Sequence, residues 1–185
     1  MAHERSSPNT KLPIGSKLPS FSLPAAQGGS VDSSSLIGAE ALIVAFTCNH
    51  CPYVKGSELS LIKLVRAHQK EGLAAIAISS NDAVQYPEDS FEKMKQHAID
   101  LDLPYRYLYD ESQTVAKAFD AVCTPEFFLF DRAGILVYHG AINDSPRDPA
   151  KVTSHFLGAA VRQLLAGGPP DPSFVSPLGC SIKWK

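Results

Sequence analysis

No stretch of this 185-residue chain is long and apolar enough to suggest a membrane span. The longest uncharged apolar stretch near its most informative motif, Ala41 to Val54, is interrupted by Thr, Asn, His and two Cys. A spanning helix needs about 18 or more apolar residues in a row. Charge of one sign is also missing: 17 basic against 19 acidic residues leave a net charge of −2. There is no basic stripe of the kind that displaces counterions from nucleic acid, so neither nucleic acid nor a membrane is an expected partner. The polar start, Met1 to Pro8, has no apolar segment of the sort found in secretory signals, and the expected location is cytoplasmic. Cysteine is scarce. Cys48, Cys51, Cys123 and Cys180 are too few for a disulfide scaffold in a chain of this size. No internal repeat is visible.

What is present suits one folded domain. Hydrophobic residues make up 44% and charged residues 19%, proportions typical of globular chains. Three regions are expected: a flexible lead-in over residues 1–14, the domain over 15–166, and an extended tail over 167–185 packed on it. Leu18 to Leu23 alternates as a short strand, and Gln27-Gly28-Gly29-Ser30 turns it towards Val31, which predicts a small hairpin. Ala41 to Phe46 is a continuous apolar run suited to a strand buried on both faces. Pro52 fits the first turn of a following helix. Leu59, Ile62 and Val65 are expected to point inward from it, with Leu61 and Leu64 beside them, and Gly72 should stop it. Further strands are expected over 73–78, 105–109, 127–130 and 135–139. Helices are expected from Pro87 to about Asp100, from Ser112 to Phe119 and from Lys151 to Leu165. Strands alternating with helices imply an α/β fold, with a central mixed sheet flanked by helices. Pro169, Pro170, Pro172 and Pro177 keep the tail extended.

The chemistry-bearing motif is Cys48-Asn49-His50-Cys51, set between a buried strand and a helix start. In a chain of this kind a close Cys-x-x-Cys pair points to redox work or to half of a metal site. A thiolate is the reactive form of cysteine, and the free N–H groups at a helix N-terminus stabilise an anion. Cys48 is therefore expected to be the exposed nucleophile with the lower pKa. Cys51, one helical turn on and less exposed, is expected to resolve the mixed disulfide. His50 either tunes the pair as a donor or is a solvated turn residue. The function expected from these residues is thiol–disulfide exchange.

The step Thr124-Pro125, just before a strand, resembles the thioredoxin-like superfamily. The resemblance implies a thioredoxin-like fold with a cis peptide at this step and Thr124 facing Cys48. Four blocks narrow it: Phe46 to Lys55, Tyr86 to Ser90, Thr124 to Asp131 and Gly179 to Trp184. Together they are similar to the peroxiredoxin-like branch of the redoxin (alkyl hydroperoxide reductase/thiol-specific antioxidant) family, over roughly residues 15–185. The resemblance implies a thiol-redox role, with protein or small-molecule thiols and disulfides as partners and either a monomer or a homodimer. Typical peroxiredoxins carry a Pro-x-x-x-Thr-x-x-Cys pattern and a nearby arginine. Here Thr47 lies one residue before Cys48 and four before Cys51, which fits neither cysteine. No proline stands at Leu42 or Ile43, and Cys123 to Phe130 holds no arginine. A thiol-dependent peroxidase is therefore the alternative rather than the first reading.

The remaining candidates have plain readings beside functional ones. Glu126 is either a proton shuttle for Cys51 or a solvated strand-start residue. Cys123 is a further redox thiol or a small buried side chain. Cys180, on the tail, is a resolving thiol for Cys123 or Cys48, a link to another subunit, or a thiol held by the packing of Ile182 and Trp184. A copper site formed by Cys48, Cys51 and a distant histidine such as His139 is the least favoured reading, and zinc would want a second close Cys/His pair. No metal and no cofactor is expected.

Overall fold

The computed structural model describes residues 2–4, 7–9 and 11–185. At its centre lies a six-stranded mixed sheet. Strand β4 (Ala41–Thr47) is buried at every position, as its unbroken apolar sequence requires. It pairs in parallel with β5 (Leu73–Ser79), which pairs in parallel with β6 (Arg106–Tyr109). On its other side β8 (Glu126–Asp131) runs antiparallel, followed by β9 (Leu136–Gly140). The sheet ends in β10 (Phe174–Val175), contributed by the tail. A hairpin of β2 (Ser22–Pro24) and β3 (Ser30–Asp32) precedes it, as expected from the Gln-Gly-Gly-Ser turn.

Side chains on a strand alternate between faces, so β4 serves two cores. Ala41, Ile43 and Ala45 pack with helices α1 (Pro52–His68), α2 (Phe91–Asp100) and α4 (Phe156–Leu165). Leu42, Val44 and Phe46 pack on the opposite face with α3 (Thr114–Phe119) and the hairpin residues Leu23 and Val31. Phe119 is the hub there, with the rings of Phe46 and Phe128 each 5.2 Å from its own. This is the expected thioredoxin-like arrangement.

Several local expectations need correction. On α1 the buried stripe is Val54, Ser57, Leu61, Ile62 and Val65, whereas Leu59 is 59% exposed. Leu59 lies two residues from Leu61, about 200° around the helix, and so takes the solvent face. Pro87–Asp89 is a separate 3₁₀ turn before α2, not its first turn. The last helix begins at Phe156; Pro149–Lys151 forms another 3₁₀ turn. Described parts of the lead-in make specific contacts. Backbone of β1 (Ala2–Glu4) pairs with the tail strand β11 (Leu178–Ser181). Asn9 is buried, donates to the Phe119 carbonyl and accepts from the Lys11 and Leu12 N–H groups. Among the described residues no helix is long and apolar enough to cross a membrane.

The tail wraps back along the domain. β11 pairs antiparallel with the two-residue strand β7 (Cys123–Thr124), making a second sheet in the order β1-β11-β7. Gly179 makes this approach possible, because a Cβ there would run into the Thr124 carbonyl. Beyond β11, the Lys183 N–H donates to Asn81 Oδ1 at 2.8 Å, and Gln113 Nε2 donates to the Lys183 carbonyl at 2.9 Å.

Candidate active site

Cys48 follows the last residue of β4, and Cys51 is the N-cap of α1 with Pro52 at its first helical position. The intervening turn is held by Asp89, which is fully buried. Its Oδ1 accepts from the Asn49 N–H at 2.8 Å and the His50 N–H at 3.2 Å. Its Oδ2 meets His50 Nδ1 at 2.6 Å and accepts from Asn81 Nδ2 at 2.7 Å. The Asn49, His50 and Asn81 N–H groups already donate to this carboxyl group, and His50 Nδ1 is placed to donate to it as well. The His50 ring also stacks on Tyr86, with centroids 5.2 Å apart. His50 is therefore no free solvated residue; it is part of the clamp that shapes the turn. Asp89 escaped the reading of the motif, although it lies in one of the four blocks, because nothing in the sequence brings position 89 to position 50.

Thr124 stands where the resemblance implied. The Thr124-Pro125 peptide is cis. Thr124 Oγ1 lies 3.4 Å from Cys48 Sγ, and the Thr124 carbonyl accepts from Cys51 Sγ at 3.2 Å.

Two expectations about the thiols are overturned. Cys48 is not exposed: it is 1% accessible, and Cys51 is 0% accessible. Tyr53 and the tail residue Cys180 pack against the pair together with Val54. Nor does Cys48 carry the depressed pKa. The two sulfurs are hydrogen-bonded, and the Cys51 thiol is pulled down to about 5, first by that bond from Cys48 and also by donors from Cys180 and Val54. Cys48 is pushed well above the ordinary thiol value by the same bond, by burial and by the Asp89 charge. The Thr124 carbonyl opposes this, since only a thiol can donate to it, but the donors around Cys51 outnumber it. The two thiols titrate as one pair, in which Cys51 is favoured as the thiolate.

Cys180 packs against the pair. It is half-buried and hydrogen-bonded to Cys51, and burial pushes it up to about 11. Cys123 lies elsewhere. It is fully buried, and its sulfur is 3.9 Å from the Pro125 carbonyl and 3.9 Å from Glu126 Oε2. Adjacent strand residues point to opposite faces, so Thr124 meets the Cys48–Cys51 pair while Cys123 turns into the protein. Glu126 is fully buried rather than solvated. It accepts from the Val122 N–H at 2.7 Å and the Cys123 N–H at 3.2 Å, and it pairs with His139 Nε2 at 2.6 Å. These contacts make it a positioning residue for the loop that carries Thr124-Pro125. His139, considered as a copper ligand with the cysteines, is committed to Glu126 and stacked on Phe128.

One other ligand set occurs among the described residues. Cys48, His50 and Asp89 each bring one donor atom within 4.8 Å of the others. Within the set, His50 Nδ1 and Asp89 Oδ2 face each other, and the Asp89 oxygens accept from the turn and from Asn81.

No curated protein sequence matches the chain. Among solved structures, an uncharacterized conserved protein from Geobacillus kaustophilus is 42% identical over 100% of this chain and 97% of its own, with a TM-score of 0.92. A hypothetical protein from Sinorhizobium meliloti 1021 is 39% identical over 93% of this chain and 94% of its own, with a TM-score of 0.88. The peroxidoxin BcpB from Mycobacterium tuberculosis shares the fold at 18% identity, covering 83% of this chain and 94% of its own, with a TM-score of 0.58. The model of the AhpC/TSA family matches residues 14–139, the span that carries the paired cysteines and the cis-proline step, and the chain belongs to that family.

Proposed function

We propose that the protein is a thiol–disulfide oxidoreductase in which Cys48 and Cys51 alternate between dithiol and disulfide. The observation that carries this reading is the buried Cys48–Cys51 pair at the start of α1, with Thr124 Oγ1 3.4 Å from Cys48 Sγ and the Thr124 carbonyl accepting from Cys51 Sγ. In the reaction, Cys48 attacks a partner disulfide, one partner sulfur leaves, and Cys51 then attacks Cys48 Sγ to release the second. Cys48 needs to lose its proton first, and Thr124 Oγ1 is placed to donate to the thiolate so formed. The test is reduction of insulin disulfides by the reduced protein. Cys48→Ser and Cys51→Ser should each lower the rate by about 100-fold or more, given the thiolate dependence of exchange. Equal rates in Cys48→Ser and wild type would remove Cys48 as the nucleophile.

Family membership favours a second reading, a thiol-dependent peroxidase. It predicts fast, saturable consumption of hydroperoxide with a thiol reductant, and a sulfenic acid on Cys48 that Cys51 condenses with.

A further inference from the structure

The tail strand β11 lies where the proposed chemistry would place a substrate. A polypeptide disulfide that uses Thr124 as a pairing partner needs the free edge of β7, and β11 already occupies it. The register is Cys180 opposite Thr124 and Ser181 opposite Cys123. Directly paired residues of an antiparallel ladder share a face. Cys180 therefore falls on the face where Thr124 meets the two buried sulfurs, and Ser181 falls on the other face with Cys123. The side chains agree, since Cys180 packs against Cys48, Cys51 and Val54 and is hydrogen-bonded to Cys51. Gly179 shows that the fit is built in, because any side chain there would lift the strand off Thr124. Of the three clustered thiols, Cys180 alone reaches the surface.

We propose that Cys180 is the third redox thiol of this protein: it exchanges with the Cys48–Cys51 disulfide at Cys51 and presents the resulting bond to an external dithiol. The proposal rests on the Cys48–Cys51 couple proposed above. In the first step Cys180 gives its proton to solvent and its thiolate attacks Cys51 Sγ. The Cys51–Cys180 bond forms, the Cys48–Cys51 bond breaks, and Cys48 leaves with the electron pair and takes up a proton. No net oxidation occurs. In the second step one thiol of an external dithiol attacks Cys180 Sγ, and Cys51 leaves as thiolate. The second thiol then closes the external disulfide and frees Cys180, so the dithiol is oxidised and the protein reduced by two electrons. Two features fit this order. A sulfur with a depressed pKa is a good leaving group, and Cys51 is that sulfur. Cys180 is held protonated in part by the Cys51 thiolate; once Cys51 is in a disulfide that restraint is gone, and Cys180 deprotonates more readily.

The test uses the full chain. Wild type and Cys48→Ser are oxidised with glutathione disulfide, free thiols are blocked, and the bridges are mapped by peptide mass spectrometry. The expected result is a Cys48–Cys51 bridge in wild type and a Cys51–Cys180 bridge in Cys48→Ser. A Cys48→Ser protein that stops at a glutathione adduct on Cys51, or that bridges Cys51 to Cys123, overturns the role of Cys180 while the Cys48–Cys51 couple stands. Wild type that forms no Cys48–Cys51 bridge overturns both. A second measurement does not depend on the folding of Cys48→Ser. Reduction of the oxidised protein by dithiothreitol should slow roughly tenfold or more in Cys180→Ser, because the external thiol must then reach buried sulfur. An unchanged rate overturns the proposal.

Discussion

Two groups of cysteine, histidine and carboxylate occur in this fold, and they use the same residue types to opposite ends. Cys48, His50 and Asp89 lie at the start of α1, and there the carboxylate shapes the turn between two thiols. Cys123, Glu126 and His139 lie within the sheet, where the carboxylate holds the loop ahead of the cis-proline and the imidazole is stacked on Phe128 and tilted against Phe174. The sulfurs differ in what faces them. Cys51 is met by donors from Cys48, Cys180 and Val54 as well as by the acceptor Thr124 O. Cys123 is met by the acceptors Pro125 O and Glu126 Oε2, which engage only a thiol. Composition of a cluster therefore says little about reactivity; the polarity of the groups aimed at the sulfur decides it.

The largest effect should come from breaking the inner group. Glu126→Ala leaves His139 and two backbone N–H groups buried without their carboxylate, and should cost about 3–5 kcal/mol in denaturant unfolding. A loss under about 1 kcal/mol, the level of a surface pair, would mean that the inner group is not structural. The outer counterpart, Asp89→Ala, strips the turn of its acceptor and should cost about 3 kcal/mol. It also removes a negative charge that opposes ionisation of Cys48, so alkylation of Cys48 in the reduced protein should speed up. A stability loss with no change at Cys48 would reduce Asp89 to a scaffold residue.

A titration sharpens the comparison further. The reduced protein should develop thiolate absorbance in the ultraviolet with a midpoint near pH 5, set by Cys51. Cys48→Ala removes the leading donor to that thiolate, so the midpoint should move up towards the ordinary 9.0. Stability follows the same group. An acid whose folded pKa is depressed contributes stability that is complete above its unfolded value and lost as the pH falls through its folded one. The reduced protein should therefore lose stability from about pH 9 down to about pH 5, and Cys48→Ala should lose less over that window. An unshifted midpoint in Cys48→Ala would show that the donors from Cys180 and Val54 suffice. The smallest effect is expected for Cys123→Ala: about 1 kcal/mol from the small void it leaves, with insulin reduction unchanged.

Much of this molecule was legible in the chain, for reasons that are local. The unbroken run Ala41 to Phe46 can only be satisfied by burial on both faces, and Pro52 opens α1 while Gly72, expected to stop it, ends the 3₁₀ turn Gln69–Glu71 that follows His68. The Cys-x-x-Cys spacing likewise carries its consequence with it, two sulfurs brought together by one short turn. Other features depend on which segments come together. Leu59 reads as core until the other helices set the phase of α1. Asp89 becomes part of the site only because the turn before α2 packs beside the turn after β4. The tail reads as extended whatever it touches, but its register against Thr124 is fixed by the fit of Gly179 and the anchoring of Lys183. That register decides that Cys180 rather than Cys123 joins the thiols. The sequence alone determined the α/β fold class and the candidate redox pair, since both follow from short-range pattern. The protonation and access of that pair were decided by tertiary structure, because the donors and the cover come from residues far away in the chain.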